Sequence, residues 1–320
     1  MKNEFYGKRI AFLGDSIIQD GTFLDFMRAR LLGVADAPRL YNRGLGGNRA
    51  MMVEGLFADE IASLRPDVCY IHYGVNDVGI WLYDTSLPIT PPKEEERRGR
   101  LEDYCSGLTR AVERMLAEGI TPVICTPIAL DEQLGVEDST KTVTDNDGKA
   151  EHVKEVLYKR KTFSHVNRAL RAFCDFAASL AKRYRIGLLD LHDAFLRAQA
   201  PEATLYRADG IHLSAVGNRL LAKLLLAHFG IEEKIPEGAG FPPAIATLRE
   251  VEQTERRIQY VKWAMFHPIY GRAIEDPEVG AAALLSRESL EQHKRLAIET
   301  YLAHGKSAEA LRAKIEEIYP

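Results

Sequence analysis

The chain has 320 residues, 46% of them hydrophobic and 28% charged, with a net charge of −4. That length holds one large domain or a domain with an appendage, and the charge balance leaves no basic footprint for nucleic acid. No apolar run approaches the roughly 20 residues that span a bilayer, and the start, Met1 to Arg9, lacks the apolar core of a secretion signal, so a cytoplasmic protein that does not engage a membrane is expected.

The first strong signal is Ile10-Ala11-Phe12-Leu13, a short apolar strand that runs into Gly14-Asp15-Ser16. Taken alone, Gly-Asp-Ser reads as a turn with a helix cap sooner than as a nucleophile mount. Helical spacing over about Asp20 to Leu32 puts Phe23, Leu24, Met27 and Leu31 on one face, with Gly33 as the stop. Arg39-Leu40-Tyr41 predicts a second strand, followed by the glycine-rich turn Asn42 to Asn48 and a helix from about Ala50 to Leu64. Asp67 to Tyr73 predicts a buried third strand that ends in Gly74-Val75-Asn76-Asp77; Gly79 to Pro92 then reads as loop, and Lys93 to Glu118 as a charged helix.

Strand four is predicted at Thr121 to Thr126. Asp131 to Ala150 is polar and turn-rich, a surface insertion or a lid. A long helix is predicted over Val153 to Tyr184, a fifth strand over Ile186 to Leu191, and two helical turns near Asp193. Asp209-Gly210-Ile211-His212-Leu213 precedes Ser214, the expected cap of a helix carrying Val216, Leu220, Leu221, Leu224 and Leu225. Strands alternating with helices predict parallel crossovers and a three-layer α/β/α sandwich in residues 1–235, with candidate sites at the C-terminal ends of the strands. Beyond the linker Glu237 to Pro243, residues 236–320 carry only helical spacing and form a C-terminal extension. This extension either covers its own domain or forms a homo-oligomer; in the second case Trp263, Phe266, His267 and Tyr270 would dock on a neighbour.

The chemistry sits in four turns. A serine hydroxyl needs a base, histidine titrates where a base is useful, and a carboxylate beside the histidine fixes its tautomer. Ser16, His212 and Asp209 can supply these groups, and an oxyanion would then need donors such as the nucleophile's own amide, a glycine amide in a tight turn and an asparagine side chain. Other motifs carry less. The turn Gly44-Leu45-Gly46 lacks the third glycine of a dinucleotide fingerprint, because Arg49 stands there. Cys69, Cys105, Cys125 and Cys174 form no Cys-x-x-Cys pair, and His165, His192 and His267 show no ligand spacing, so no metal is expected. His72 reads as a core histidine, and Asp15 and Asp77 as braces of their turns. Trp81 and Tyr83 are candidates to line a substrate site, or ordinary loop packing.

The four blocks together resemble the SGNH hydrolases, also called the GDSL esterase/lipase family, over about residues 8 to 230. Gly14-Asp15-Ser16-Ile17 is similar to the nucleophile block, Asn42-Arg43-Gly44-Leu45-Gly46-Gly47 to the oxyanion-glycine block, Gly74-Val75-Asn76-Asp77 to the asparagine block and Asp209-Gly210-Ile211-His212-Leu213 to the base block. Departures are Asn48, where many members are acidic, and Ile18, where threonine is frequent. The resemblance implies a five-stranded parallel, flavodoxin-like sheet and a cofactor-free serine esterase with Ser16, Asp209 and His212 as catalytic residues and Ser16, Gly47 and Asn76 as oxyanion hole. The expected substrate is a short acyl ester, acetyl foremost, of a small molecule or oligosaccharide. A lysophospholipase or thioesterase on the same site, and a non-catalytic carbohydrate- or protein-binding module, are the alternatives.

Overall fold

The computed structural model describes residues 4–83, 90–132, 143–144, 150–151, 164–199, 205–207, 209–231, 241–266 and 308–319. Strands β1 (Arg9–Gly14), β2 (Arg39–Gly44), β3 (Val68–His72) and β4 (Thr121–Cys125) pair in parallel with the last strand, β7 (Gly187–Leu189), in the order β2-β1-β3-β4-β7. Between β4 and β7, β5 (Val143–Thr144) and β6 (Ala150–Glu151) form a small antiparallel pair. In the centre of the sheet, Ile10 to Leu13 and Cys69 to Ile71 are almost fully buried, as expected for parallel strands covered on both faces.

The helices are α1 (Ser16–Asp20), α2 (Thr22–Leu31), α3 (Val53–Phe57), α4 (Pro91–Ala117), α5 (Val166–Tyr184), α6 (Leu191–Ala198), α7 (Ala215–His228), α8 (Pro243–Phe266) and, last among the described residues, α9 (Ala308–Ile318). The chain moves from β1 outward to β2, then reverses across β1 to β3 and onward. Right-handed crossovers therefore put α1 and α2 on one face, where α2 packs on α7, and α3, α4 and α5 on the other. This is the three-layer sandwich that the alternation of elements predicts. No helix among the described residues is long and apolar enough to cross a membrane.

Several local expectations are corrected. The helix expected over about Asp20 to Leu32 is α2 (Thr22–Leu31); the separate short helix before it, α1, was not expected and ends at Gly21, which adopts φ 72°. The helix expected over Ala50 to Leu64 is broken into a 3₁₀ turn (Ala50–Met52), α3 and a π turn (Ala58–Ala62). Ile80–Tyr83, expected as loop, is a 3₁₀ turn. Of the long helix expected over Val153 to Tyr184, α5 occupies Val166–Tyr184, with His165 before it at φ 67°; residues 153–163 lie outside the described residues. Val216, expected on the apolar face of α7, is 50% exposed. Most of the expected lid (133–142, 145–149), residues 267–307 of the helical extension, including His267 and Tyr270, and the side chains of Trp263 and Phe266 lie outside the described residues.

β2 is an edge strand, and its open side is covered by charged side chains. The Asn42 amide donates to Glu252 of α8 at 2.7 Å, while the Leu40 carbonyl accepts from Arg28 at 2.7 Å and from the Tyr319 hydroxyl. Glu252 also binds Arg28 of α2 through two 3.0 Å bonds, Glu255 binds Arg43 of β2 at 2.8 and 3.0 Å, and Arg256 reaches Glu60 in the π turn. These groups are all at least 94% buried. Burial opposes the charge on Glu255, yet Arg256, Arg43 and Arg312 of α9 together hold its carboxyl down at about 2. Thus α8 straddles the sheet edge and grips both outer layers, which closes a strand that would otherwise invite pairing.

A buried carboxylate shared by several guanidinium groups costs most when it alone is removed. Glu255→Gln is expected to destabilise the chain by about 3–5 kcal/mol, read as a lowered urea midpoint that 1 M salt does not restore. A midpoint within experimental error of wild type would show that the network is dispensable.

Candidate active site

β1 and its neighbours end at one level, since Gly14 pairs with both Gly44 and His72. Each of the three turns that follow carries a predicted site residue. After Gly14, Asp15 caps α1 by accepting the Ile17 amide at 3.0 Å, and Ser16 opens the helix, half-buried. The turn leaves no room for side chains at its glycines. A methyl on Gly14 would meet the His72 carbonyl at 2.7 Å, and one on Gly44 would lie 2.2 Å from the Gln19 amide.

The base loop is a closed turn between Tyr206 and Leu213, which form an antiparallel bridge. Inside it the Arg207 amide donates to the His212 carbonyl at 2.7 Å, and the Gly210 amide to the Arg207 carbonyl at 2.9 Å. This closure turns Asp209 and His212 to the same side. The Tyr206 hydroxyl on the Ala129 carbonyl and the Asp131 amide on the Gly210 carbonyl (2.9 Å) anchor the loop beyond β4, and Arg207 pairs with Asp20 at the end of α1.

Across this junction the Ser16 Oγ lies 2.9 Å from His212 Nε2, and His212 Nδ1 lies 2.7 Å from Asp209 Oδ2. The other Asp209 oxygen accepts the Ile211 and His212 amides, each at 2.9 Å. Burial alone would raise the Asp209 carboxyl, but the bond from the imidazole and the two amides bring it down to about 2. The hydrogen bond to Asp209 raises His212 above 6.5 against a smaller effect of burial. With Asp209 ionised, Nδ1 holds a proton toward it and Nε2 is left to accept the Ser16 hydroxyl.

The oxyanion candidates meet through Asn48. The Asn76 side-chain amide donates to the Asn48 carbonyl at 3.1 Å, which orients it and leaves its second N–H available. Gly47, next in the chain, is exposed and adopts φ 72°. Asp77 ties the two turns together, accepting the Ala50 and Gly74 amides at 2.9 Å each. The carboxylate of Asp15 likewise braces its own turn, and His72 is a core residue that accepts the Ile128 amide on Nε2 at 3.3 Å. Trp81 and Tyr83 pack with side chains of α4: Arg100 lies 4.5 Å over the Trp81 ring and Arg97 4.1 Å over that of Tyr83. Gln19 was not singled out in the sequence, yet its side chain accepts the Gly46 amide and shapes the second turn. Its position three residues after Ser16, on the same face of α1, was the available signal.

The model of the GDSL-like lipase/acylhydrolase family matches residues 12–220. The chain belongs to this family. It is therefore a carboxylic ester hydrolase. Solved structures similar to the hydrolase include Axe2, an acetylxylan esterase from Geobacillus stearothermophilus, at TM-score 0.53 and 20% identity, with 73% of this chain and 98% of that one covered. BT4096, a gut microbial diltiazem-metabolizing enzyme, aligns over 99% of this chain and 96% of its own at TM-score 0.64 and 16% identity. Both likenesses are of fold. Among curated proteins nothing matches.

Beneath the hydrolase's Gly14–Ser16 turn lie buried titratable groups. Burial pushes Asp15 up to about 7 and Asp77 up to about 6, and it pushes the His72 imidazole down to about 4. A carboxyl raised on folding contributes stability that is intact below about 4 and fades as pH rises toward its folded value. The depressed imidazole works the opposite way: its contribution is intact above about 6.5 and fades as pH falls through 4. Asparagine at position 15 keeps an acceptor for the Ile17 amide but cannot ionise. The melting temperature of Asp15→Asn relative to wild type should therefore climb as pH is raised from 4 to 7; a flat difference across that window would contradict a raised Asp15.

Proposed function

We propose that the chain is a serine esterase that removes short acyl groups, acetyl foremost, from a carbohydrate or similar polyol by way of an acyl-enzyme. The observation that carries this reading is the continuous row from Ser16 Oγ through His212 to Asp209, at 2.9 and 2.7 Å. Ser16 Oγ attacks the ester carbonyl while its proton passes to His212 Nε2. Asp209 holds the imidazole in the required tautomer and stabilises the imidazolium. The tetrahedral oxyanion is held by the Ser16 and Gly47 amides and the free N–H of Asn76; one such donor contributes about 10²–10³ in rate. His212 then gives its proton to the leaving alkoxide. Water enters, loses a proton to the same nitrogen, attacks the acyl carbon, and Oγ leaves with that proton.

The preference for acetyl on a sugar draws support from the fold shared with Axe2, an acetylxylan esterase. The side chains of His212 and Asp209 are 37% and 43% exposed, which suits a bulky hydrophilic alcohol delivered from solution.

A fluorophosphonate probe should label the wild type and spare Ser16→Ala, and acetate release from acetylated xylooligosaccharides should fall by about 10⁴-fold or more in that variant. Equal labelling of the two proteins would end the serine-nucleophile proposal. Because the base acts when neutral, kcat/KM should rise with pH through a midpoint above 6.5. Asp209→Asn should lower the rate by about 10⁴ and move that midpoint downward. An unshifted midpoint would remove Asp209 as the partner of His212.

A further inference from the structure

α8 does more than close the edge of the sheet. It runs in the same direction as β2: Glu252 meets Asn42, Glu255 meets Arg43, and one turn further Tyr260 meets Gly46. β2 ends at Gly44, and α8 continues past that end, so that Tyr260 reaches the turn holding Gly46. A methyl group on Gly46 would lie 3.6 Å from Tyr260 Cε2 and 3.8 Å from Ser16 Cβ. The edge of this half-buried ring thus stands across a glycine from the candidate nucleophile.

Strand order decides which part of an ester faces the ring. The His212 loop is anchored beyond β4, to the Ala129 carbonyl and the Asp131 amide. Tyr260 comes from the opposite side, over β2, and Ser16 at the end of β1 lies between them. His212 must hand a proton to the leaving alkoxide, so the alcohol portion lies on the β4 side. The acyl substituent is directed away from it, toward the ring.

We propose that Tyr260, delivered by the C-terminal extension, is the end wall of the acyl site and limits the hydrolase to short acyl groups. The proposal rests on the reading of Ser16 as nucleophile. Glycine at position 46 is part of the device, because any side chain there would fill the space between the ring and the serine. The wall acts through its bulk, and its position is held by the buried pairs of Glu252 and Glu255 with Arg28 and Arg43.

The test is kcat/KM of the full chain on p-nitrophenyl acetate, butyrate, hexanoate and octanoate, for wild type, Tyr260→Ala, Tyr260→Val and Tyr260→Trp. Wild type should favour acetate. The octanoate-to-acetate ratio should rise at least tenfold in Tyr260→Ala and several-fold in Tyr260→Val, and the butyrate-to-acetate ratio should fall in Tyr260→Trp. The variants change the wall in both directions, so one that fails to fold leaves the others to decide. Ratios within twofold of wild type, or a wild type that takes octanoate as readily as acetate, overturn the proposal. So does a change of preference among acetates of different alcohols with unchanged acyl ratios, which would move Tyr260 to the leaving-group side. Fluorophosphonate labelling of each protein is read in parallel. An unlabelled wild type removes the serine-esterase reading itself, whereas a labelled wild type with flat acyl ratios removes only the wall.

Discussion

Gly14, Gly44 and His72 lie side by side across three strands, and the geometry of the site follows from that register. Parallel strands release their chains at the same edge of a sheet, but a slip of one residue would reverse which side chains face each layer. Here the register is fixed by backbone packing. The first helix lies so close on Gly44 that a side chain there would strike its backbone, and Gly14 is pressed between Ile18 and the His72 carbonyl. Asn42 completes the fit: its side chain donates to the Ile18 and Gln19 carbonyls and accepts the Gly44 amide. The end of α1 and the start of the second turn therefore share a single residue, so Ser16 and Gly46 cannot move independently.

The same rigidity explains what the sequence made legible. Glycine and asparagine at a strand end leave a local mark, because a tight turn demands them whatever else the chain does. Gly47 and Asn76 could be picked out for this reason, Ser16, Asp209 and His212 only once the four blocks were taken together, and the alternation of elements was enough for the sheet. Local breaks were harder. Gly21 stands among Gln19, Asp20 and Thr22 between two apolar stretches, and in its left-handed conformation it ends α1 where the Asn42 side chain binds the Ile18 carbonyl. His165 was hard to read as a helix boundary: histidine enters the left-handed region more often than most non-glycine residues, but a single histidine does not mark a turn.

The charged residues of α8 were illegible for a different reason. Glu252 and Glu255 follow Leu248 by four and seven residues, on the face that also carries Val251 and Ile258, but nothing in that spacing says that Arg28, Arg43 and Glu60 wait for them and for Arg256 more than 190 positions earlier. Helical periodicity finds apolar stripes. It is blind to a seam sealed by ion pairs, which is built from the same residue types as a surface. The seam also explains how an edge strand can end in a turn as exact in its contacts as the central ones: β2 is paired on one side by β1 and on the other by side chains that take over the role of a missing strand.

Seen along this seam, stability and site geometry are one problem. The carboxylates of α8 bind the strand whose C-terminal turn carries Gly46 and Gly47, and they bind it at its backbone as well as at Arg43. Burying such charges costs desolvation that apolar packing would avoid, and a buried ion pair is weak evidence for stability alone. What ion pairs supply better than apolar contacts is direction. Two bidentate bonds fix the rotation and the advance of α8 along β2, whereas a greasy interface would tolerate sliding. A helix that must set one ring beside one glycine needs that kind of fixing, which is a physical reason for the charges to lie where they do.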